Sequence, residues 1–253
     1  MPPLTLLQRI QNLSTLQGGT PIEDAMINGA KLAYAPHGTA NRGVNSTYAA
    51  RIDGVPVVCF HKQFAGVDVA IANTYSQSPD SAPVNECAAW LLAKALGPPY
   101  IDLVPPCVYR VIDGQPGSLA LGIIGHAHEQ TPLARGHAQG EAAAFFDALI
   151  AQQDRHGANY RWDPGSGRLH LIDHGYAFAV PRAFLNQSHL LQARWGNKAE
   201  ALTAAEIDAL QRTLAAPDLF GLASVLEAPR ADALVDRVKR MLARSALMRP
   251  GEF

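Results

Sequence analysis

The sequence predicts an α+β chain of two lobes, rich in strands in its first half and mainly helical in its second. Three observations carry this. Short apolar and β-branched runs alternate with turn signals such as Asp53-Gly54 and Asp113-Gly-Gln-Pro-Gly117 through residues 27–124. Helical stripes and a capping pattern dominate residues 203–247. Between them lies one polar stretch, Gln152–Phe178, whose residue types suit chemistry better than packing. The expected lobes are residues 1–126 and 127–253, with the chemistry at their junction.

Taken in order, residues 4–16 read as an amphipathic helix, with Leu4, Leu7, Ile10 and Leu13 at helical spacing and Gly18-Gly19-Thr20-Pro21 as its stop. Ile27–Tyr34, Ser46–Ile52 and Val55–Lys62 read as strands, the last two joined by Asp53-Gly54. Residues 63–83 are polar and read as a flexible connection. Residues 84–96 read as a helix with a broad apolar face, ended by Gly97-Pro98-Pro99. Val104–Ile112 and Ser118–Ile124 read as strands around the turn Asp113–Gly117, and residues 126–139 as a polar link between the lobes. A helix over 140–152 then delivers the chain to Asp154. Residues 179–198 read as a loop region, and residues 204–214, 217–226 and 229–247 as helices, the first opened by the capping box Thr203-Ala-Ala-Glu206.

Composition excludes several classes. The chain has 253 residues, 48% of them hydrophobic, enough for a sizeable core. A formal net charge of −1 argues against nucleic acid as the main partner, because a phosphate backbone demands a basic face. No apolar run approaches the roughly 18 residues of a membrane span. The first residues, MPPLTLLQRIQNL, interrupt their apolar stretch with Gln, Arg and Asn and do not read as a secretory signal. Cys59, Cys87 and Cys107 form no C-x-x-C pair, so a cytoplasmic protein with reduced thiols is expected. His126, His128 and His137 lack zinc-ligand spacing and read as surface histidines.

The central stretch reads QQDRHGANYRWDPGSGRLHLIDHGYAF. Two strand-like pieces, Asn159–Trp162 and Arg168–Ile172, flank Asp163-Pro-Gly-Ser-Gly167. A tight hairpin returns Asp173 to Asn159, with Asp154 on the loop that leads in. One carboxylate can then take a proton from an attacking hydroxyl. An amide oxygen and the second carboxylate can hold Mg²⁺, which prefers oxygen ligands and also binds substrate phosphates. Those are the parts phosphoryl transfer needs, since it asks for positioning and charge rather than covalent chemistry. As plain structure, the same residues make a surface hairpin, because Asp, Asn and Gly favour turns.

Asp154-x4-Asn159 followed by Asp173-His174-Gly175 resembles the catalytic and metal-binding loops of the protein-kinase-like fold. The order Asp154-Arg155-His156 is similar to the phosphoinositide-kinase-like branch, and the Asp-x4-Asn spacing is shared with HipA-like kinases. The resemblance spans residues 27–247 in outline and only short segments in sequence. It implies ATP and Mg²⁺ between the lobes, with Asn159 and Asp173 as metal ligands and Asp154 as catalytic base. Arg155 would pair with the metal-loop region or the developing charge, and His156 would assist. Lys62 would contact the non-transferred phosphates and pair with Glu86; otherwise it is a solvated strand-end lysine. Loop 38–47 would cover the phosphates with Asn45, Ser46 and Thr47, although it keeps only Gly38 and Gly43 of a glycine-rich loop and reads equally as a β-turn. Ile123 and Ile124 would edge the adenine. His174 stands where the fold usually has an aromatic residue.

The implied activity is ATP- and Mg²⁺-dependent phosphotransfer to a hydroxyl of a protein or small molecule, as in an atypical Ser/Thr protein kinase. An inositol lipid is disfavoured, because Gly175–Ala193 holds only Arg182 as a formal cation. A pseudokinase, an enzyme transferring AMP to protein and a non-catalytic α+β binding protein stay as alternatives.

Overall fold

The computed structural model describes residues 3–37, 46–64, 81–123, 125, 137–163, 165–180, 188–198 and 200–249. Asn45, Ile124, the glycines of the expected phosphate loop, His126, His128, Arg182 and the expected lobe boundary lie outside the described residues.

Five antiparallel strands form the first sheet: β1 Lys31–Pro36, β2 Thr47–Ile52, β3 Cys59–Gln63, β4 Cys107–Ile112 and β5 Gln115–Leu121, in the order β1-β2-β3-β5-β4. Side chains alternate across it. Ala50, Ile52, Cys59, Val108, Ile112 and Leu119 face a small core that Met26 completes. Lys62 pairs with Ser118 and Phe60 with Ala120, which itself pairs with Cys107, so these residues share the opposite face.

Helix α1 (Leu6–Leu16) begins at a Thr5–Gln8 capping box. Residues 18–30 differ from expectation. Thr20 and Pro21 do not end a helix; Thr20 caps α2 (Pro21–Asn28) by accepting from Glu23 N, with Pro21 at the first helical position. The Thr-Pro step satisfies a helix start as well as a stop, and α2 supplies Met26 to the small core. The strand expected from Ile27 therefore starts at Lys31. The β4–β5 turn is also tighter than expected. Asp113 and Gly114 both take positive φ, 50° and 75°, the geometry of a two-residue hairpin turn, so β5 begins at Gln115.

Helix α3 (Ser81–Leu96) is buried almost all round rather than on one face, and it joins the main core. The short α4 (Tyr100–Leu103) and α5 (Ala138–Leu149) follow, and His137, expected at the surface, caps α5 through its Nδ1. The second sheet is a hairpin of β6 (Tyr160–Asp163) and β7 (Arg168–Leu171). Within the region expected to be loop, Ser188 caps α6 (His189–Gly196). Helix α7 (Ala204–Ala215) keeps its Thr203–Glu206 capping box. The helix expected over 217–226 is instead two 3-10 turns, Pro217–Leu219 and Leu222–Ser224, with Asp218, Leu219 and Phe220 at positive φ. Helix α8 (Ala228–Arg244) closes the fold.

The result is the α+β, two-lobed protein-kinase-like architecture expected: a five-stranded sheet carrying Lys62 on β3, one helix after it carrying Glu86, and a helical lobe built around the 160–171 hairpin.

Gly117 shows how closely β5 approaches the lysine strand. A Cβ there would stand 2.2 Å from the Lys62 carbonyl oxygen and 2.6 Å from His61 Nε2. Gly117→Ala is expected to lower stability by about 1–3 kcal/mol, read as an earlier urea midpoint. An unchanged midpoint would show that the strands separate there without cost.

Candidate functional site

The hairpin register brings the expected site together. Tyr160 lies opposite Leu171, and the Ile172 amide donates to the Asn159 carbonyl at 3.0 Å. Asn159 and Asp173 therefore leave the open end of the hairpin side by side. Asn159 Nδ2 donates to the Asp154 carbonyl at 2.7 Å and to Asp154 Oδ2 at 3.3 Å, which leaves the amide oxygen as the atom able to bind a metal. Asp173 takes a left-handed φ of 60°, and its carbonyl accepts from Gln152 Nε2 at 2.9 Å. Left-handed backbone at a non-glycine residue persists where its surroundings over-determine it.

A cavity of about 540 Å³ opens in front of this hairpin. Thr47, Phe60 and Lys62 line it from the sheet, with Cys107, Ala120, Leu121 and Ile123 beside them. Glu86 enters from α3; Asn159, Arg161, Ile172, Asp173 and His174 line it from the helical lobe. Of the residues expected at a site, Thr47, Lys62, Glu86, Ile123, Asn159 and Asp173 line this one space. Ser46, Asp154, Arg155 and His156 do not, although Asp154 is bonded to Asn159 at its edge.

Lys62 is not a solvated strand-end residue. Its Nζ donates to Glu86 Oε1 and, at 2.7 Å, to Asp173 Oδ1. Burial works to lower its pKa, but Asp173 and Glu86 outweigh it and push the ammonium well above its usual range. Burial likewise works to raise the Glu86 carboxyl, and Lys62 followed by His174 holds it well below the carboxylate range instead. His174 Nδ1 lies 3.7 Å from Glu86 Oε2. Asn85, the neighbour of Glu86, donates to the carbonyls of Gly175 at 2.9 Å and Ala177 at 3.0 Å.

Arg155 meets the metal-loop region, one of its two expected partners, and not the cavity. It is fully buried and does not line the cavity. Its Nε donates to both oxygens of Asp147 at 3.2 Å, and its Nη1 to the carbonyls of Asn159, at 2.6 Å, and Ile172. It therefore positions the two chain ends that carry Asn159 and Asp173 and does not reach a developing charge. His156 is half exposed; its Nδ1 accepts from Ala158 N at 3.1 Å, capping the turn before Asn159, and its Nε2 lies 3.8 Å from Asp154 Oδ2.

Several cavity residues were not anticipated. Phe60 shares the Lys62 face by strand alternation two residues away, so that signal was readable. Cys107, Ala120 and Arg161 required the strand registers. The Cys87 and Cys107 sulfurs lie 3.7 Å apart, a pairing that no sequence spacing announces. Among the described residues no three His, Cys, Asp or Glu side chains cluster as a metal cage. An amide oxygen and one carboxylate nevertheless suit Mg²⁺, which usually completes its shell with waters and substrate phosphates.

No family model and no curated protein matches this chain. Among solved structures, it is similar to the Helicobacter pylori proinflammatory kinase CtkA, with 10% identity, TM-score 0.45, and 88% of this chain and 94% of that one covered. It is also similar to a point mutant of the Mycobacterium tuberculosis PknI kinase domain, with 14% identity, TM-score 0.34, and 83% and 96% covered. The third is vaccinia related kinase 3, with 13% identity, TM-score 0.35, and 96% and 82% covered.

The Arg155 contacts yield a measurable consequence. Burial raises the Asp147 carboxyl above its ordinary pKa, while Arg155 and the Ser188 hydroxyl, which donates at 2.8 Å, act to lower it. Arg155→Leu strands that carboxylate and is expected to cost about 3–5 kcal/mol of unfolding free energy. Loss of the guanidinium raises the Asp147 pKa in the folded state further. The proton then bound by the folded variant stabilises it, so the deficit against wild type should shrink as pH falls and grow as pH rises. Denaturant unfolding of both proteins across acid to neutral pH checks this; a deficit independent of pH would remove Asp147 from the account.

Proposed function

We propose that this chain binds ATP with Mg²⁺ between its two lobes and transfers the terminal phosphoryl group to a hydroxyl, most naturally a Ser or Thr hydroxyl of a protein. The observation that carries the reading is the position of Lys62. A largely buried ammonium held between Glu86 of the sheet-side helix and Asp173 of the hairpin, facing a cavity, is placed to meet phosphate oxygens.

Each residue then has a task that follows from its contacts. Lys62 balances the charge of the non-transferred phosphates. Phe60, Cys107, Ala120, Leu121 and Ile123 give the cavity an apolar end suited to a purine. Asn159 Oδ1 and the Asp173 carboxylate would hold Mg²⁺, whose charge offsets that of the phosphates. The Asp154 carboxylate, fixed against the Asn159 amide, is the base. It takes the proton as the acceptor oxygen bonds to the γ-phosphorus and the bond from that phosphorus to the bridging oxygen breaks, releasing ADP. The few cations after Asp173 continue to argue against an inositol lipid as acceptor. No helix among the described residues is long and apolar enough to cross a membrane.

The test is calorimetric titration with ATP, with and without Mg²⁺, followed by intact-mass analysis of the protein and of candidate acceptors. Wild type should bind ATP in a Mg²⁺-dependent way and add the mass of phosphate. Asp173→Asn should lose the metal dependence. Asp154→Asn should keep nucleotide binding and lose about 10²–10⁴ in turnover, the usual contribution of a positioned base. No ATP binding by wild type would overturn the reading, and an added adenylate mass would replace phosphoryl transfer with AMP transfer.

A further inference from the structure

The residue at 174 is a histidine, and it is buried where it can act on Glu86. Glu86 has two oxygens and two basic neighbours from different lobes. Oε1 accepts from Lys62 on β3, and Oε2 lies 3.7 Å from His174 Nδ1 on the metal-side loop. Asp173, the neighbour of His174 in the chain, returns to Lys62 at 2.7 Å. Lys62, Glu86, His174 and Asp173 thus close a ring through strand, helix and loop.

The surroundings point the same way. The His174 ring stands edge-on to Phe146, with centroids 6.4 Å apart, so its apolar side is packed as an aromatic residue would be. The Glu86 and His174 side chains are only 4% and 3% exposed, so water does not compete for the Glu86 carboxylate. Helix α3 lies tightly against the loop: a Cβ on Gly175 would stand 3.2 Å from Ala82 Cβ. Asn85 adds its two bonds to Gly175 and Ala177 alongside.

We infer that His174 is a positioning residue, which orients the Glu86 carboxylate and through it the Lys62 ammonium, so that the metal-side loop and helix α3 move as one unit. The claim at nucleotide rests on the reading of Lys62 as the phosphate-binding lysine; the claim about Lys62 itself does not. An apolar aromatic at 174 would fill the space against Phe146 but leave Glu86 Oε2 without the polar imidazole edge that faces it at 3.7 Å. The carboxylate could then turn, and Lys62 would lose the fixed geometry that excludes other partners. Asn85 alone would hold the backbone of the loop but not the carboxylate.

The experiment compares wild type, His174→Phe, His174→Gln, Glu86→Gln and the double variant His174→Phe/Glu86→Gln. Two readouts are taken on each: the rate of Lys62 acylation by acetic anhydride, followed by peptide mass spectrometry, and the Kd for ATP with Mg²⁺. Thermal melting selects conditions in which all five are folded. Lys62 held by carboxylates is a poor nucleophile, so its labelling reports its pairing without any nucleotide. His174→Phe is expected to raise labelling several-fold and weaken ATP binding by a similar factor, in keeping with loss of one polar contact to a buried carboxylate. His174→Gln, which keeps a side-chain N–H, should stay nearer wild type. In the Glu86→Gln background His174→Phe should add little to either readout. Labelling that is unchanged in His174→Phe, or that rises by the same factor with and without the Glu86 carboxylate, would overturn the inference. Coupled labelling without ATP binding in wild type would sustain the positioning role while the proposed function fell.

Discussion

One ammonium group ties the two halves of this protein together. Lys62 reaches out of the central strand of the sheet and meets a carboxylate from a buried helix and another from the hairpin of the helical lobe. Neither contact is local; Glu86 is 24 residues away in sequence and Asp173 is 111. A charge taken this far from water is tolerable only with partners in place. The sheet, helix α3 and the loop after β7 therefore have to be assembled together for any one of them to sit where it does. The cavity is the space left between those three elements.

Behind this ring lies a second polar knot that holds the chain at Asn159 and at the entry to Asp173. Arg155 spans the base of the hairpin, bonding the carbonyls just before Tyr160 and just before Asp173, and Asp147 with Ser188 satisfies its charge from behind. From α8, Arg230 donates to the Phe178 carbonyl and Arg237 to that of Ala179, both at 2.9 Å. Burial pushes the Arg237 guanidinium down to about 9. The chain leaving Asp173 is thus gripped on successive carbonyls by long side chains from the C-terminal helix. Apolar packing in the helical lobe sets the shape, and arginines reaching backbone oxygens set the path of this segment within it.

Legibility followed range. The hairpin could be read because everything it needs lies within about twenty residues: two short strands, a Gly-containing turn, and a register that puts Asn159 opposite Ile172. The Thr203–Glu206 and Thr5–Gln8 caps are local in the same sense, although only the first was anticipated. Where local signals are degenerate, more than one local structure satisfies them. Thr20-Pro21 serves a helix start as well as a stop. Asp113-Gly114 is enough for a turn without the Pro and Gly that follow. Residues 217–226 have helix-forming content but four consecutive positive-φ residues, Asp218 to Gly221, a backbone choice made by packing.

The amino-acid sequence by itself determined most of the α+β order of elements and the Asp154–Asn159–Asp173 constellation, because periodicity, turn chemistry and short-range register are properties of neighbouring residues; the candidate lysine–glutamate pair rested on the resemblance to the kinase-like fold alone. Only the tertiary structure decided that Lys62 is shared between Glu86 and Asp173, that Arg155 is a buried brace and that His174 stands against Glu86. Those outcomes depend on which side chains from distant segments lose water together. A polar contact gains its strength when solvent is excluded from both partners, and exclusion is set by the packing of α3, β3 and the loop after β7 rather than by any one of their sequences.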